Sequence, residues 1–140
     1  MIAASYQLKV VTDRPDAIYK AGEQSKFVIT VTKDGQPVSE GEVSYIVDDF
    51  ITDNPPANHF PKGKLSLAES GSVSATSKQP GFLRCRVTFQ TPGKKKLQAI
   101  AGAAFSPLKI KLSLPVPDDF DEFWTDQKKQ LAEISQDPKL

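Results

Sequence analysis

The feature that most restricts the fold is a repeated two-residue alternation of apolar and polar side chains. It places Phe27, Ile29 and Val31 on one side of a strand, and Leu83 and Cys85 on one side of another. Pro, Gly, Asp and Asn interrupt the alternation about every eight to twelve residues. Strands are predicted at 5–12, 25–38, 41–49, 64–70, 71–77, 80–90 and 96–105. This spacing predicts an all-β, immunoglobulin-like antiparallel two-sheet sandwich.

Composition excludes several classes of partner. Hydrophobic residues make up 39% of the chain and charged residues 25%, which is typical of a folded globular protein. A net charge of +1 argues against nucleic acid, and no apolar run reaches the length of a membrane span. The single cysteine, Cys85, excludes an internal disulfide, so packing alone must hold the sandwich.

Three short motifs resemble immunoglobulin-like repeats of bacterial and macroglobulin-type surface proteins. They are a Tyr-x-x-Gly-Glu segment at Tyr19–Glu23, an Asp-Gly-x-Pro-Val turn at Asp34–Val38 and a Pro-Gly-Phe turn at Pro80–Phe82. Gly and Pro suit these turns because one tolerates unusual dihedral angles and the other fixes its own. The resemblance implies a fold and no activity.

A different pattern begins near the C-terminus, where residues 114–134 predict one amphipathic helix. Asp118 and Asp119 are suitable N-terminal caps, with Glu122 at capping-box spacing from Asp119, and Asp137-Pro138 ends the pattern. The apolar positions recur at helical spacing. They are Phe120, Phe123, Trp124, Leu131 and Ile134.

The segment PDDFDEFW (117–124) is similar to the N-terminal helix of acetyl xylan esterases of the cephalosporin-C deacetylase type. The resemblance implies a sandwich at 3–113, followed at 114–140 by a linker and the first helix of a missing α/β-hydrolase domain. It implies a periplasmic or secreted serine carbohydrate esterase as the parent, with the catalytic domain of the same polypeptide as partner. The interdomain contacts would be Phe120, Phe123, Trp124 and Leu131. The alternatives are a helix that caps its own sandwich and a homodimer through the exposed helix.

The chain itself lacks the motifs of a hydrolase. A Gly-x-Ser-x-Gly nucleophile elbow is absent, and the single histidine, His59, lies in a Pro-rich segment. Cys85 faces inward on its predicted strand, and the acidic residues near 48–59 have no recognised metal-ligand spacing. We therefore expect no catalysis, cofactor or metal here. The resemblance implies a role in orienting, stabilising or assembling the esterase that acts on acetylated plant polysaccharide.

The segment at 49–64 carries the alternative of a carbohydrate-binding module. Its aromatic and polar side chains are the groups that stack on sugars and hydrogen-bond to them. The candidate glycan contacts are Phe50, Asp53, Asn58, His59 and Phe60. In a competing interpretation the rings anchor the loop or face the missing domain, and a third function is an immunoglobulin-like cell-surface interaction domain.

Overall fold

The protein is described by a computed structural model at residues 4–51, 60–68 and 71–136. It divides into two compact units, Met1–Ile110 and Lys111–Leu140. The sequence places this boundary three residues later, after residue 113. That the second unit starts a catalytic domain stays a prediction.

The described part of the first unit contains strands and one short 3₁₀ turn at Pro107–Lys109. The strands are β1 (Tyr6–Thr12), β2 (Ile18–Tyr19), β3 (Gln24–Lys33), β4 (Gln36–Pro37), β5 (Glu42–Asp48), β6 (Lys62–Ser66), β7 (Ser72–Thr76), β8 (Gly81–Gln90) and β9 (Lys96–Phe105). The second unit contains the helix α1 (Phe120–Ala132). The predicted all-β two-sheet sandwich followed by a C-terminal helix is confirmed.

The strands form two sheets. In the first sheet β3 pairs with β1, β4 and β7, and in the second the order is β2-β9-β8-β5-β6. All pairings are antiparallel except that of β2 with β9, where Ile18 pairs with Ala104 and Tyr19 with Phe105. The sequence missed this two-residue parallel strand because the Pro- and Asp-rich segment around it reads as a turn.

The core lies on the inward positions of the strands, as the alternation predicts. Phe27, Ile29 and Val31 of β3 are buried, and so are Leu83 and Cys85 of β8. The ring centroids of Tyr19 and Phe105 lie 5.5 Å apart in a stacked pair. At about 25 cal/mol per Å² of apolar surface, these buried side chains supply the main favourable term of folding.

Two predicted strands that follow each other along the chain belong to different sheets. The segments at 64–70 and 71–77 do not pair with each other, because β6 pairs with β5 in the second sheet and β7 with β3 in the first. Residues 106–115 continue the two-residue alternation beyond the last predicted strand, but they form no strand. Pro107 lacks the N–H that a strand ladder needs, and the 3₁₀ turn follows β9 at once.

Helix α1 begins at Phe120 and ends at Ala132, within the predicted 114–134. Asp119 is the N-cap residue, but its side chain makes no capping hydrogen bond, so the predicted capping box is wrong. Asp121 and Glu122 lie in the first turn, where the helix dipole favours negative charge. Pro138 lies outside the described residues. No helix in the described part of the chain has the length and hydrophobicity needed to span a bilayer.

Candidate functional surfaces

The nucleophile candidate of the chain is inert in this fold. Cys85 is fully buried, and burial together with the nearby Asp48 carboxylate raises the pKa of its thiol to about 12. A thiol of this kind carries almost no thiolate near neutral pH. Over the ranges 4–51, 60–68 and 71–136, no three His, Cys, Asp or Glu side chains are grouped to hold a metal ion. His59 lies outside those ranges.

The aromatic side chains of α1 form a cluster at the start of the helix. The Trp124 ring lies edge-on to Phe123 at 5.5 Å and to Phe120 at 6.3 Å. The three side chains remain 45–51% exposed, and Leu131, two turns further on, is 62% exposed. Monomeric proteins seldom leave such an apolar face uncovered, so this face has the character of a binding surface. The assignment of these residues as interdomain contacts stays a prediction.

The glycan candidates are only partly described. Phe50 is 52% exposed, whereas Phe60 is partly buried against the core of the sandwich. This position of Phe60 agrees with the competing interpretation, in which a ring anchors the segment. Asp53, Asn58 and His59 lie outside the described residues, so the glycan site stays a prediction.

A buried carboxylate fixes the position of Phe50. Asp48, at the end of β5, is fully buried, and its Oδ1 accepts a hydrogen bond from the Phe50 N–H at 3.0 Å. Arg84 Nε lies 2.9 Å from Asp48 Oδ1, and Arg86 Nη2 lies 2.9 Å from Oδ2. The Arg84 guanidinium also covers the Phe50 ring, with 4.9 Å between Cζ and the centroid.

Sequence reasoning missed this ion-pair cluster. The sequence did indicate that Asp48 and the two arginines point outward, because all three occupy outward positions in the alternation of their predicted strands. The register of β5 against β8, which sets Asp48 opposite Arg84, is what brings them together. From the sequence alone, the two arginines are expected to be ordinary solvent-exposed side chains.

The outer side of the second sheet carries a further group of exposed apolar side chains. We call it the outer-face patch and define it as Ile18, Phe50, Phe82 and Ile100, which are 47–62% exposed. None of them except Phe50 was a candidate from the sequence. Single exposed apolar residues are common on protein surfaces, so each of these residues taken alone indicates no site. Only the order of the strands in the sheet shows that they lie together.

The fold and these surfaces define a β-sandwich module with two exposed apolar faces and no assembled catalytic group among the described residues. Comparison with curated proteins relates the chain distantly to an esterase. The relative is the acetyl esterase Axe7A of Xylanibacter ruminicola, which is 32% identical over 137 residues. The match covers 96% of this chain but 28% of Axe7A, so the chain spans little more than a quarter of that protein. No family model and no solved structure matches the chain.

Proposed function

We propose that this chain is the non-catalytic accessory module of an acetyl esterase that acts on acetylated plant polysaccharide. The observation that carries the proposal is the uneven match to Axe7A, which covers 96% of this chain and 28% of the esterase. This chain carries neither a nucleophile elbow nor a reactive thiol. The module orients, stabilises or assembles the catalytic domain to which it is joined.

The exposed face of α1 gives the proposal a structural basis. An isolated helix of about 12–15 residues is marginal in water, and α1 has 13. Covering Phe120, Phe123, Trp124 and Leu131 with a catalytic domain removes apolar area from water and stabilises both parts. We therefore place the interdomain contact on this face, and we propose export to the periplasm or medium, where polysaccharide is accessible.

We further infer that the sandwich is immunoglobulin-like. The neighbours β1-β3-β7 correspond to strands A-B-E of that topology, and β9-β8-β5 correspond to G-F-C. The cross-sheet disulfide and core Trp of antibody domains are absent, and Cys85 occupies an inward position on β8 without a cysteine partner. This topology supports a scaffold role.

A hybrid esterase tests the proposed function. In this hybrid, the 140-residue chain replaces the matched region of full-length Axe7A. We expect the isolated chain to release no acetate from aryl acetates or acetylated xylan, and the hybrid to release it. Trp124→Ala should lower the melting temperature of the hybrid by at least ~2 °C, because it removes a ring buried at the interdomain contact.

Lys129→Ala is the matched control, since it truncates a long side chain on the polar side of the same helix. It should leave both proteins unchanged, and Trp124→Ala should leave the sandwich of the isolated chain unchanged. Acetate release by the isolated chain would overturn the non-catalytic assignment. An inactive hybrid, or one indifferent to Trp124→Ala, would count against the accessory role.

A carbohydrate-binding module is the second candidate, because Phe50 remains 52% exposed. Retardation of the isolated chain in an acetylated-xylan affinity gel, lost in Phe50→Ala, would favour it. The cell-surface interaction domain is the third candidate, and no contact among the described residues favours it over the other two.

A further inference from the structure

The outer-face patch extends across three neighbouring strands. Ile18 of β2 and Phe82 of β8 both pair with Ala104 of β9, so their side chains flank one small residue. Ile100, two outward positions away on β9, pairs with Arg86 of β8. The exposed apolar side chains therefore form one surface on the outside of the second sheet.

Phe50 joins this surface beside Gly102 of β9. A Cβ at Gly102 would lie 3.9 Å from Phe50 Cζ, an ordinary van der Waals contact, so the tip of the ring lies next to β9. Asp48 and Arg84 hold the residue from two sides, by the hydrogen bond to its N–H and by the guanidinium over its ring. A ring held in this way loses little conformational freedom when a partner covers it.

The outside of the first sheet has a different composition. Its outward positions on β3 and β7 are mostly Lys, Thr and Ser, and its one large exposed apolar side chain among the described strand residues is Val11, at 42%. The outside of the second sheet thus carries an apolar patch, and the described strands of the first sheet expose no group of comparable size. A one-sided apolar surface of this kind marks a binding face.

The chemistry of the patch favours a protein over a sugar. Ile18 and Ile100 are aliphatic and offer neither a stacking plane nor a hydrogen bond to a sugar. Aromatic and Arg side chains are enriched in protein interfaces. Here the Arg84 guanidinium, paired with Asp48, lies over Phe50, and Phe82 is two positions before Arg84 on β8. The patch therefore has the composition expected where one folded domain contacts another.

The position of the patch favours a partner within the same polypeptide. Ile18 also lines a groove of about 780 Å³ together with Pro107 and the fully exposed Leu108, just before the first unit ends at Ile110. A domain joined a short linker beyond that point is present at millimolar effective concentration. At such a concentration even a modest apolar patch is covered.

We propose that the outer-face patch docks the catalytic domain of the longer esterase chain, as a contact distinct from the face of α1. This proposal rests on the proposed function. It makes the sandwich a rigidly seated support for the esterase, because two separate surfaces restrict its orientation.

Cysteine labelling tests the docking without relying on activity. Ile100→Cys introduces a thiol in the patch, and Val11→Cys introduces the matched control on the outside of the first sheet. Cys85 contributes no background, since it is buried. Each variant is treated with a maleimide, both as the isolated chain and within the hybrid esterase, and the modified peptide is measured by mass spectrometry.

We expect the two thiols to react at similar rates in the isolated chain. In the hybrid, Ile100→Cys should react at least ~10-fold more slowly while Val11→Cys keeps its rate, since only the patch is covered. Phe82→Cys provides a second position in the patch and should be slowed as well.

Three results would overturn the docking. Equal labelling of Ile100→Cys in both proteins, in a hybrid that is active and sensitive to Trp124→Ala, removes the patch contact and leaves the proposed function standing. A hybrid that fails to fold as an active esterase removes both. Slower labelling of Ile100→Cys in the isolated chain on addition of acetylated xylan assigns the patch to polysaccharide instead.

Discussion

The two units of the chain differ in whether large apolar side chains form a buried core. In the sandwich, Phe27 and Phe105 are completely buried, whereas in the helical unit Phe123 and Trp124 remain about half exposed. The sandwich therefore obtains its stability from its own sequence. The helix has rings of similar size but leaves much of their apolar surface in water, so we infer that its full stability depends on a partner.

The largest expected effect comes from truncating one ring in each unit of the isolated chain. Phe27→Ala should reduce the free energy of unfolding of the sandwich by about 3–5 kcal/mol, since it empties a fully buried site. Trp124→Ala should leave that free energy unchanged. The measurement is urea unfolding followed by far-UV circular dichroism of the strands, because the single Trp reports on the helix alone.

Phe27→Leu keeps this comparison informative if the alanine variant does not fold, with a smaller expected loss of about 1 kcal/mol. A loss above about 1 kcal/mol from Trp124→Ala would contradict the difference between the units, because the ring would then be completing the core of the sandwich.

Buried charge gives the next largest effect and sharpens the same comparison, since α1 has no buried residue. Asp48→Asn leaves Arg84 and Arg86 without their carboxylate. We expect a loss of about 2 kcal/mol, below the ~3–5 kcal/mol of fully buried pairs, because both guanidinium groups remain partly exposed. Urea unfolding at pH 7 measures it.

Glu42→Gln is the matched control on the same strand. Its carboxylate lies 2.9 Å from Lys64 Nζ, but both side chains are more than half exposed. Exposed ion pairs contribute about 0–1 kcal/mol, so we expect little change. Equal losses from the two variants would mean that the buried position of Asp48 contributes nothing of its own.

The fold was predictable because its signal repeats along the chain. Each strand of the core carries its own alternation, and inward residues such as Val31 and Val87 are buried as expected. The sheet order was not predictable from local patterns, since β6 and β7 are neighbours in sequence but belong to different sheets. Pairing between distant strands depends on the whole core rather than on any one segment.

The candidate surfaces also differ in how far the sequence predicts them. The rings of α1 were found because Phe120, Phe123 and Trp124 recur at helical spacing within one segment. The outer-face patch was missed because Ile18, Phe82 and Ile100 come from three separate strands and meet only through the register. The Asp48 cluster was missed for the same reason, since its arginines lie 36 and 38 positions further along the chain.

The smallest expected effect concerns the edge strand β2, which the buried Tyr19 anchors to the sandwich. The Tyr19 O–H donates a hydrogen bond to Asp13 Oδ1 at 2.5 Å, and this bond holds the pKa of the Asp13 carboxyl below its ordinary value of 3.8. A carboxyl whose pKa is lowered by folding stabilises the native state above its unfolded pKa. That stabilisation is lost as the pH falls through the folded value.

Asp13→Asn should therefore destabilise the sandwich slightly at pH 7. Its difference from the native chain should shrink as the pH falls through the lowered pKa of Asp13, because the native carboxyl then becomes protonated as well. Urea unfolding at pH 7, 4 and 2.5 measures the difference between the two proteins. Asp16→Asn is the matched control, since it makes the same substitution three positions away, at a carboxylate that accepts a hydrogen bond from the Ile18 N–H and not from Tyr19. If Asp13→Asn differed from the native chain equally at pH 7 and pH 2.5, the contact with Tyr19 would act through its shape and not through the charge of the carboxylate.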